Sequence, residues 1–250
     1  MEVAGLVPQW PAAARVRAFC SERAGGVSLP PYDSLNLGDH VGDDEVAVAE
    51  NRRRYAAALQ ARPVFLRQVH GQGVVRLDAT TADMTEADAC WTIEGGLACT
   101  MMVADCLPVL LADARGVAVG AAHCGWRGLA GGVLEALWSQ MAPVAGAPEG
   151  MLAWLGPCIG PDAFEVGAEV RAAFLDHDSR CADLFRPHGE DKFLANLPGL
   201  ARRRLAALGL RAVHGNDGSP AWCTVSNPSR FFSHRRDRVS GRFAASVWLD

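Results

Sequence analysis

Three residues with metal-binding side chains stand at the ends of apolar segments that are predicted to be strands. His70 ends "PVFLRQVH", Cys106 follows "LACTMMVAD" and His123 ends "GVAVGAAH". Loops at strand ends are where a rigid scaffold displays functional side chains, so residues far apart in sequence can meet there. Two imidazoles and a thiolate suit zinc and would leave a fourth position for water or substrate. His70, Cys106 and His123 are therefore candidate catalytic residues and candidate metal ligands.

A structural role is the alternative interpretation of each of these residues. A histidine at a strand end often only satisfies a hydrogen bond, and a cysteine beside an apolar run is usually a small core residue. The spacing of the three also matches no local metal motif such as H-E-x-x-H. The residue pattern by itself leaves both interpretations open.

The segment "CGWRG" after His123 suggests a place for an anion. Gly125 and Gly128 loosen the backbone where a helix is predicted to begin, and the first amides of a helix carry positive partial charge. Arg127 projects from that first turn. The alternative is that the glycines let the helix pack closely on a sheet and that Arg127 is solvated. Positive charge is also available from Arg23, which precedes the pair Gly25 and Gly26, and from Arg235 and Arg236.

The composition is that of an ordinary globular chain without a general affinity for nucleic acid or membrane. The 250 residues are 50% hydrophobic and 21% charged, and the net charge is −4. Asp105 interrupts the longest apolar stretch, and the N-terminus lacks the basic start and apolar run of a signal peptide. The eight cysteines are scattered without a Cys-x-x-Cys pair, which fits a reducing compartment. We therefore expect a cytoplasmic protein, and the sequence leaves open whether it is a monomer or a homodimer.

Strand and helix patterns along the chain predict the scaffold that positions these residues. Predicted strands are 15–20, 63–70, 73–77, 97–103, 107–113, 116–123, 151–156 and 242–249, and predicted helices are 44–59, 126–141, 168–175 and 197–209. The polar loop before the first helix is about twice the usual length, which is typical of a functional loop. Without repeats or linkers, the pattern predicts one domain, 1–250, of the α+β class, a layered sandwich with a mixed sheet flanked by helices.

Six segments resemble the YfiH-like family, also called the laccase-domain or multicopper polyphenol oxidase family. They are "SLNLGDHVGDD", "QVHG", "ADCLPVLLAD", "HCGWRG", "WLGPCIGPDAFEVG" and "FFSHRRDRVSGRFAASVWL", in the family's order. The family's metal-binding and catalytic residues fall here on His70, Cys106 and His123. Two positions depart from the family pattern: Cys124, often alanine in the family, could add a soft ligand, and His234 stands where a tyrosine often precedes the arginine pair.

The resemblance implies a zinc-dependent enzyme acting on purine nucleosides. The implied reactions are phosphorolysis of adenosine, inosine, guanosine and methylthioadenosine, and deamination of adenosine. Phosphorolysis needs a site for a phosphate dianion, for which Arg23 and Arg127 are the candidates. Asn36 and Gln68 are candidate nucleoside contacts because of their motif positions. The chain lacks the P-C-x-x-C segment of the zinc nucleobase deaminases, so any deamination would take place at a differently built site.

Three other functions remain open at this point. Some family members are linked to copper-dependent phenol oxidation, but the repeated His-x-His pairs of multicopper sites do not occur here, which argues against true laccase chemistry. A hydrolase with Cys106 as nucleophile and His123 as base would fit the family's link to editing of peptidoglycan precursors. A non-enzymatic partner of cell-wall enzymes would leave the histidines and the cysteine without a purpose.

Overall fold

The computed structural model describes residues 3–250 as two large sheets, one small sheet and six α-helices. The strands are β1 (Gly5–Leu6), β2 (Val16–Ser21), β3 (Arg62–Phe65), β4 (Val74–Arg76), β5 (Ala89–Thr92), β6 (Leu97–Val103), β7 (Leu107–Asp113), β8 (Val119–Cys124), β9 (Met151–Leu155), β10 (Glu165–Gly167), β11 (Phe185–Pro187), β12 (Lys192–Ala195), β13 (Ala212–Gly215) and β14 (Phe243–Leu249). The helices are α1 (Glu45–Leu59), α2 (Trp126–Gly131), α3 (Val133–Ala145), α4 (Ala168–Leu175), α5 (Leu197–Ala207) and α6 (His234–Asp237).

The first large sheet has five strands in the order β1-β2-β14-β6-β3. Its neighbours are antiparallel except for β3, which runs parallel to β6. All seven residues of β6 and of β14 are buried, as expected for strands covered on both faces. Helix α1 covers the outer face through Tyr55 and Leu59. It begins as predicted, because the Asp44 carboxylate accepts a hydrogen bond from Ala47 N at 2.8 Å.

The second large sheet has six strands in the order β13-β9-β7-β8-β5-β4. The two edge pairs are parallel and the central pairs are antiparallel. Helix α3 places Leu134, Leu137 and Met141 on its outer face, and α5 adds Leu200 and Leu205 to the same core. The small sheet, β10-β12-β11, extends this side of the molecule.

The two large sheets pack face to face, so the molecule has four layers in the order helix, sheet, sheet, helix. Met101, Val247 and Phe243 of the five-stranded sheet meet Leu110 and Trp154 of the six-stranded sheet. The predicted α+β layered sandwich is confirmed, with two mixed sheets in its centre. Within residues 3–250, no helix combines the length and the apolar character needed to cross a bilayer.

Three sequence predictions of local structure were wrong. The helix predicted over 126–141 is two helices, because Gly132 has a φ of 103° and stops α2 before α3 begins. The strand predicted over 63–70 ends at Phe65, and residues 66–73 leave the sheet as a loop. Strands β5, β10, β11, β12 and β13 were missed because three or four residues in a mixed segment give no readable alternation.

Candidate active site

Three strand ends meet at one edge of the core between the two sheets. The loop after β3 carries His70, the turn from β6 to β7 carries Cys106, and His123 lies near the end of β8. That turn passes from the five-stranded to the six-stranded sheet, where Pro108 on β7 pairs with His123 on β8. The pairing of the strands therefore brings together residues that are 53 positions apart in sequence, from 70 to 123.

His70, Cys106 and His123 present one compact set of ligand atoms. One nitrogen or sulfur atom from each lies within 4.8 Å of the other two, and Cys106 Sγ is 3.7 Å from His70 Nε2. A tetrahedral zinc ion, with Zn–N of about 2.05 Å and Zn–S of about 2.3 Å, separates such ligand atoms by about 3.6 Å. The donor set therefore fits zinc, and copper also accepts imidazole and thiolate ligands.

Asp88 holds both histidines, although the sequence analysis did not single it out. Its fully buried carboxylate lies 2.9 Å from His123 Nδ1, and it accepts hydrogen bonds from the backbone N–H groups of Val69, His70 and Gly71 at 3.1, 2.9 and 2.7 Å. Burial would raise the pKa of Asp88, but His123 and these amides outweigh burial and lower it. The carboxylate fixes the His123 ring with Nε2 left for a ligand. The only sequence signal was an aspartate inside the small, apolar run "ADAC".

The backbone around the site adopts conformations that side chains rarely take. His70 has a φ of 62° and Asp105 has a φ of 97°. Asp105 is held by hydrogen bonds to its carboxylate from Thr224 Oγ1 and from Arg235 N, both at 2.6 Å. Such left-handed residues persist where their surroundings determine them, and they cluster at functional sites.

Because Gly125 has no side chain, it leaves room for the side chains of His70 and Cys106. A Cβ atom at this position would lie 2.8 Å from His70 Cδ2 and 3.0 Å from Cys106 Sγ. Gly125 precedes α2 with a φ of −65°, which any residue can adopt, so steric contact with the site alone demands glycine here.

Burial opposes charge on Cys106 and on His123, and their mutual attraction outweighs burial. Burial would raise the pKa of Cys106, but the charge and hydrogen bond of His123, helped by His70, lower that pKa to about 6. Burial would lower the pKa of His123, but the Cys106 thiolate and Asp88 raise that pKa to about 9. In the metal-free protein, the pairing thus favours a thiolate at Cys106 and an imidazolium at His123. A deprotonated sulfur is the form that binds metals and attacks electrophiles.

A cavity of about 450 Å³ opens over the three residues. Its lining includes the apolar side chains of Met102, Trp126, Ile159, Phe164 and Leu197, which are suitable for a flat aromatic ring. The lining also includes basic side chains, namely His40, His234, Arg235 and Arg242. The cavity therefore offers apolar and basic side chains beside three candidate metal ligands.

The structure brings only one of the four predicted substrate contacts to this cavity. Gln68 lines it, but its amide is engaged with the backbone of Met102, with Nε2 donating to O and Oε1 accepting from N, both at 2.9 Å. Asn36 is fully buried away from the cavity lining, where its Oδ1 accepts from Gly38 N and Arg242 N. Gln68 and Asn36 hold the chain segments that surround the site.

The two predicted phosphate contacts also lie outside the cavity lining. Arg23 donates to the carbonyl oxygens of Asp33 and Pro228 at 2.8 and 2.9 Å, so it ties two loops together. Arg127 is exposed and stacks on Trp126, with its guanidinium carbon 4.4 Å from the ring centre. Helix α2 has six residues and its arginine is not part of the cavity lining, so nothing in the arrangement supports the predicted anion site there.

The structure also decides between the histidines and cysteines that the sequence left open. Cys124 is buried in the core on the helix side of its sheet, opposite to His123, because successive strand residues face opposite ways. It is not part of the ligand group. His234 lines the cavity, and so does His40, which the sequence analysis did not select. The segments "GDHVG" and "SGRFA" that carry His40 and Arg242 belong to the motifs of the resemblance, which was the available signal.

Known proteins match this chain over nearly all of its length. A model of the family described as "Multi-copper polyphenol oxidoreductase laccase" matches residues 17–250. The chain is 51% identical over 248 residues to a protein of Pseudomonas aeruginosa named purine nucleoside phosphorylase, and the match covers 98% of each chain. It is 50% identical over 246 residues to purine nucleoside phosphorylase YfiH of Escherichia coli, again with 98% of each chain covered.

Solved structures share the fold. Protein NMB0706 of Neisseria meningitidis is 44% identical, with a TM-score of 0.92 over 98% of this chain and 99% of that chain. YlmD of Geobacillus stearothermophilus is 30% identical, with a TM-score of 0.83 over 94% of this chain and 92% of that chain. The four-layer arrangement is therefore common to these proteins.

Proposed function

This chain belongs to the family described as multi-copper polyphenol oxidoreductase laccase, and we propose that it is a zinc-dependent purine nucleoside phosphorylase. The observation that carries the proposal is the meeting of three features in one cavity: a His/Cys/His ligand set, apolar side chains and basic side chains. Relatives that are 50% identical or more and carry the name purine nucleoside phosphorylase support it.

In phosphorolysis, a phosphate oxygen forms a bond to C1′ of the ribose. The bond from C1′ to the purine nitrogen breaks, and the base leaves with the bonding electron pair. Apolar side chains such as Trp126 and Phe164 would bind the purine and exclude water, which would otherwise compete with phosphate. The basic side chains would bind the phosphate dianion. We propose inosine, guanosine, adenosine and methylthioadenosine as substrates.

The residues of the ligand set would hold zinc, with Asp88 fixing the orientation of His123. When bound, zinc supplies a Lewis acid beside the substrate. We propose the deamination of adenosine as a second reaction of the same cavity, since deamination needs a polarising group next to a bound purine.

Metal analysis combined with product analysis tests the proposal. Protein purified without added metal should contain about one zinc per chain. Inosine should yield free base only in the presence of phosphate, and adenosine should also yield inosine. A protein with stoichiometric copper and phenol turnover, or one that releases no base with phosphate, would contradict the proposal.

A second candidate function, a cysteine hydrolase, is favoured by one further observation. Asp88, His123 and Cys106 lie in a row of carboxylate, imidazole and thiol. In cysteine hydrolases the thiol is the nucleophile, the imidazole is its base and a third polar group orients the imidazole. The substrate would then be an amide, such as a peptidoglycan precursor. Stringent chelation separates the two functions, because a hydrolase would remain fully active without metal whereas the phosphorylase would lose its activity.

A further inference from the structure

We infer that Arg242, together with His40 and Arg235, binds the phosphate of the phosphorolysis reaction. The inference rests on the proposed function and assigns the phosphate to a wall of the cavity built from the C-terminal segment and the long loop before α1. The sequence had suggested Arg23 and Arg127 as phosphate contacts, neither of which lines the cavity, and had noted Arg235 as a further source of positive charge, which does.

Arg242 is a largely buried arginine without an acidic partner. Among residues 3–250 no carboxylate lies within 4.0 Å of its guanidinium, whereas other partly buried arginines such as Arg204 and Arg230 are paired with Glu135 and Glu22. Its Nη1 donates to the carbonyl oxygens of Ser240 and Gly241 at 2.8 and 3.0 Å. No acceptor in the described chain takes a hydrogen bond from its Nε or Nη2. These donors are left for a ligand in the cavity that the side chain lines.

The cost of burying this charge points to an anionic ligand. Burial lowers the pKa of Arg242, and the charges of Cys106 and Asp105 oppose that effect. The Asp105 carboxylate, whose charge acts on Arg242, accepts its hydrogen bonds from Thr224 and Arg235. A buried guanidinium whose donors are unused is stabilised when an anion binds, and its planar fork matches a phosphate.

Hydrogen bonds and close packing hold Arg242 against the segment that leads to His40. Arg242 N donates to Asn36 Oδ1 at 2.8 Å, and Leu37 N donates to the Arg242 carbonyl at 2.9 Å. Gly38 lies against the Arg242 stem, where an added Cβ would come within 2.8 Å of Cγ. His40 follows two residues later, and its Nδ1 faces Asp39 at 3.4 Å, which leaves Nε2 for the cavity. Asn36 is therefore a positioning residue for the phosphate site.

Arg235 adds a second guanidinium from α6. Its backbone N–H is held by Asp105, and its Nη1 donates to the Glu165 carbonyl at 3.1 Å. The guanidinium carbon lies 5.7 Å from the centre of the Phe164 ring, and both residues line the cavity. Two arginines supply several donors for a dianion, which a single surface arginine does not. Burial and the nearby Arg242 lower the pKa of His40, which favours the neutral ring, and with Nδ1 facing Asp39 its Nε2 can accept a hydrogen bond from the hydroxyl group that the phosphate dianion still carries.

The experiment compares Arg242→Met with the matched control Arg76→Met. Arg76 is an exposed arginine on β4 that stacks on Trp91 at 5.2 Å and has no acidic partner within the described chain. Calorimetry with inorganic phosphate, in the absence of nucleoside, measures binding directly. Steady-state phosphorolysis gives KM for phosphate and for inosine separately. The zinc content and melting temperature of each variant are measured alongside.

Arg242→Met should raise KM for phosphate at least about tenfold and weaken phosphate binding equally, because charge-assisted hydrogen bonds are lost. KM for inosine and zinc content should stay unchanged, and Arg76→Met should behave as wild type. Arg242→Lys, which keeps the charge but loses the fork, should be intermediate. If Arg242→Met does not fold, Arg242→Lys and Arg235→Met carry the test with the same readouts.

Two results would separate failure of this inference from failure of the proposed function. Unchanged phosphate KM and phosphate binding in the folded arginine variants would overturn the inference and leave the phosphorylase intact. Absence of phosphorolysis in the wild type, together with phosphate binding that depends on Arg242, would overturn the phosphorylase and support the anion site.

Discussion

At the scale of single residues, the site centres on Cys106 and His123, each of which shifts the pKa of the other towards its charged form. Cys106 is half-buried, His123 is buried, and the Asp88 carboxylate completes the pairing from behind. The same three side chains suit either metal binding or nucleophilic attack by Cys106, since both need a deprotonated sulfur and an oriented imidazole ring.

The low pKa of Cys106 predicts its reactivity in metal-free protein. The lowered pKa means that the thiolate fraction rises through half at pH about 6, so alkylation by iodoacetamide should increase with pH around that value and be nearly maximal at pH 7. Mass spectrometry should find the label at Cys106 first, because the other seven cysteines are buried. Added zinc should protect the thiol. A rate that rises only near pH 8.5 would contradict the predicted ion pair.

Asp88→Asn should weaken metal binding by about ten- to a hundredfold, because an amide cannot accept from His123 and from three backbone N–H groups as the carboxylate does. Competition with a chromogenic chelator measures this affinity. Asp113→Asn is the control, since Asp113 is equally buried but pairs with Arg115 at the far end of β7. Equal loss of metal in both variants would show that the effect comes from general destabilisation.

At the scale of elements, short connections bring the functional groups together. The β6 to β7 turn crosses between sheets and places Cys106 beside the end of β8, and the loop after β3 folds back over Asp88. In the loop of residues 22–44, Asn36 is buried outside the cavity lining and holds Arg242, whereas His40 lines the cavity.

Gly125→Ala tests the close packing where β8 leads into α2. The backbone at this position suits alanine, so the melting temperature should change little, but the methyl group would displace His70 and Cys106. Zinc affinity should fall at least about tenfold because the ligand geometry is disturbed. Gly150→Ala is the matched control, since no atom lies within 4 Å of its added Cβ. Normal zinc affinity in Gly125→Ala would refute the proposed packing.

At the scale of the whole molecule, the two sheets support each other and the site lies where their edges meet. Leu110 and Trp154 of one sheet pack against Met101 and Phe243 of the other, and neither sheet can bury this face alone. We propose on this basis that residues 1–250 unfold as one domain.

Leu110→Ala should lower the free energy of unfolding by about 2–5 kcal/mol, because it opens a cavity between the sheets. Urea unfolding followed by fluorescence and by far-ultraviolet circular dichroism should give one coincident transition. Val46→Ala, an exposed position on α1, should change stability by less than about 0.5 kcal/mol. Two separate transitions would indicate that the sheets belong to independent units.

The sequence by itself determined the class of fold and pointed to the three residues that the structure brings into one cluster. The apolar composition of long strands such as β6 and β7 indicates that they are buried. His70, Cys106 and His123 are recognisable because each lies at the end of such a strand or in the loop after it, and because each lies in a family motif. The resemblance also implied an enzyme acting on purine nucleosides, and relatives that are about half identical to this chain carry the name purine nucleoside phosphorylase.

Only the tertiary structure decided which polar side chains serve the cavity and which serve the scaffold. Arg23, Asn36 and Arg127 resemble Arg242 and His40 in sequence, because a charge or an amide in a loop looks the same whether it meets a carbonyl oxygen or an open space. Asp88 gave no readable signal for the same reason, since the partners of its carboxylate come from two distant segments, residues 69–71 and His123. Residue type fixes the chemistry that a side chain can perform, whereas long-range packing fixes the groups that it meets.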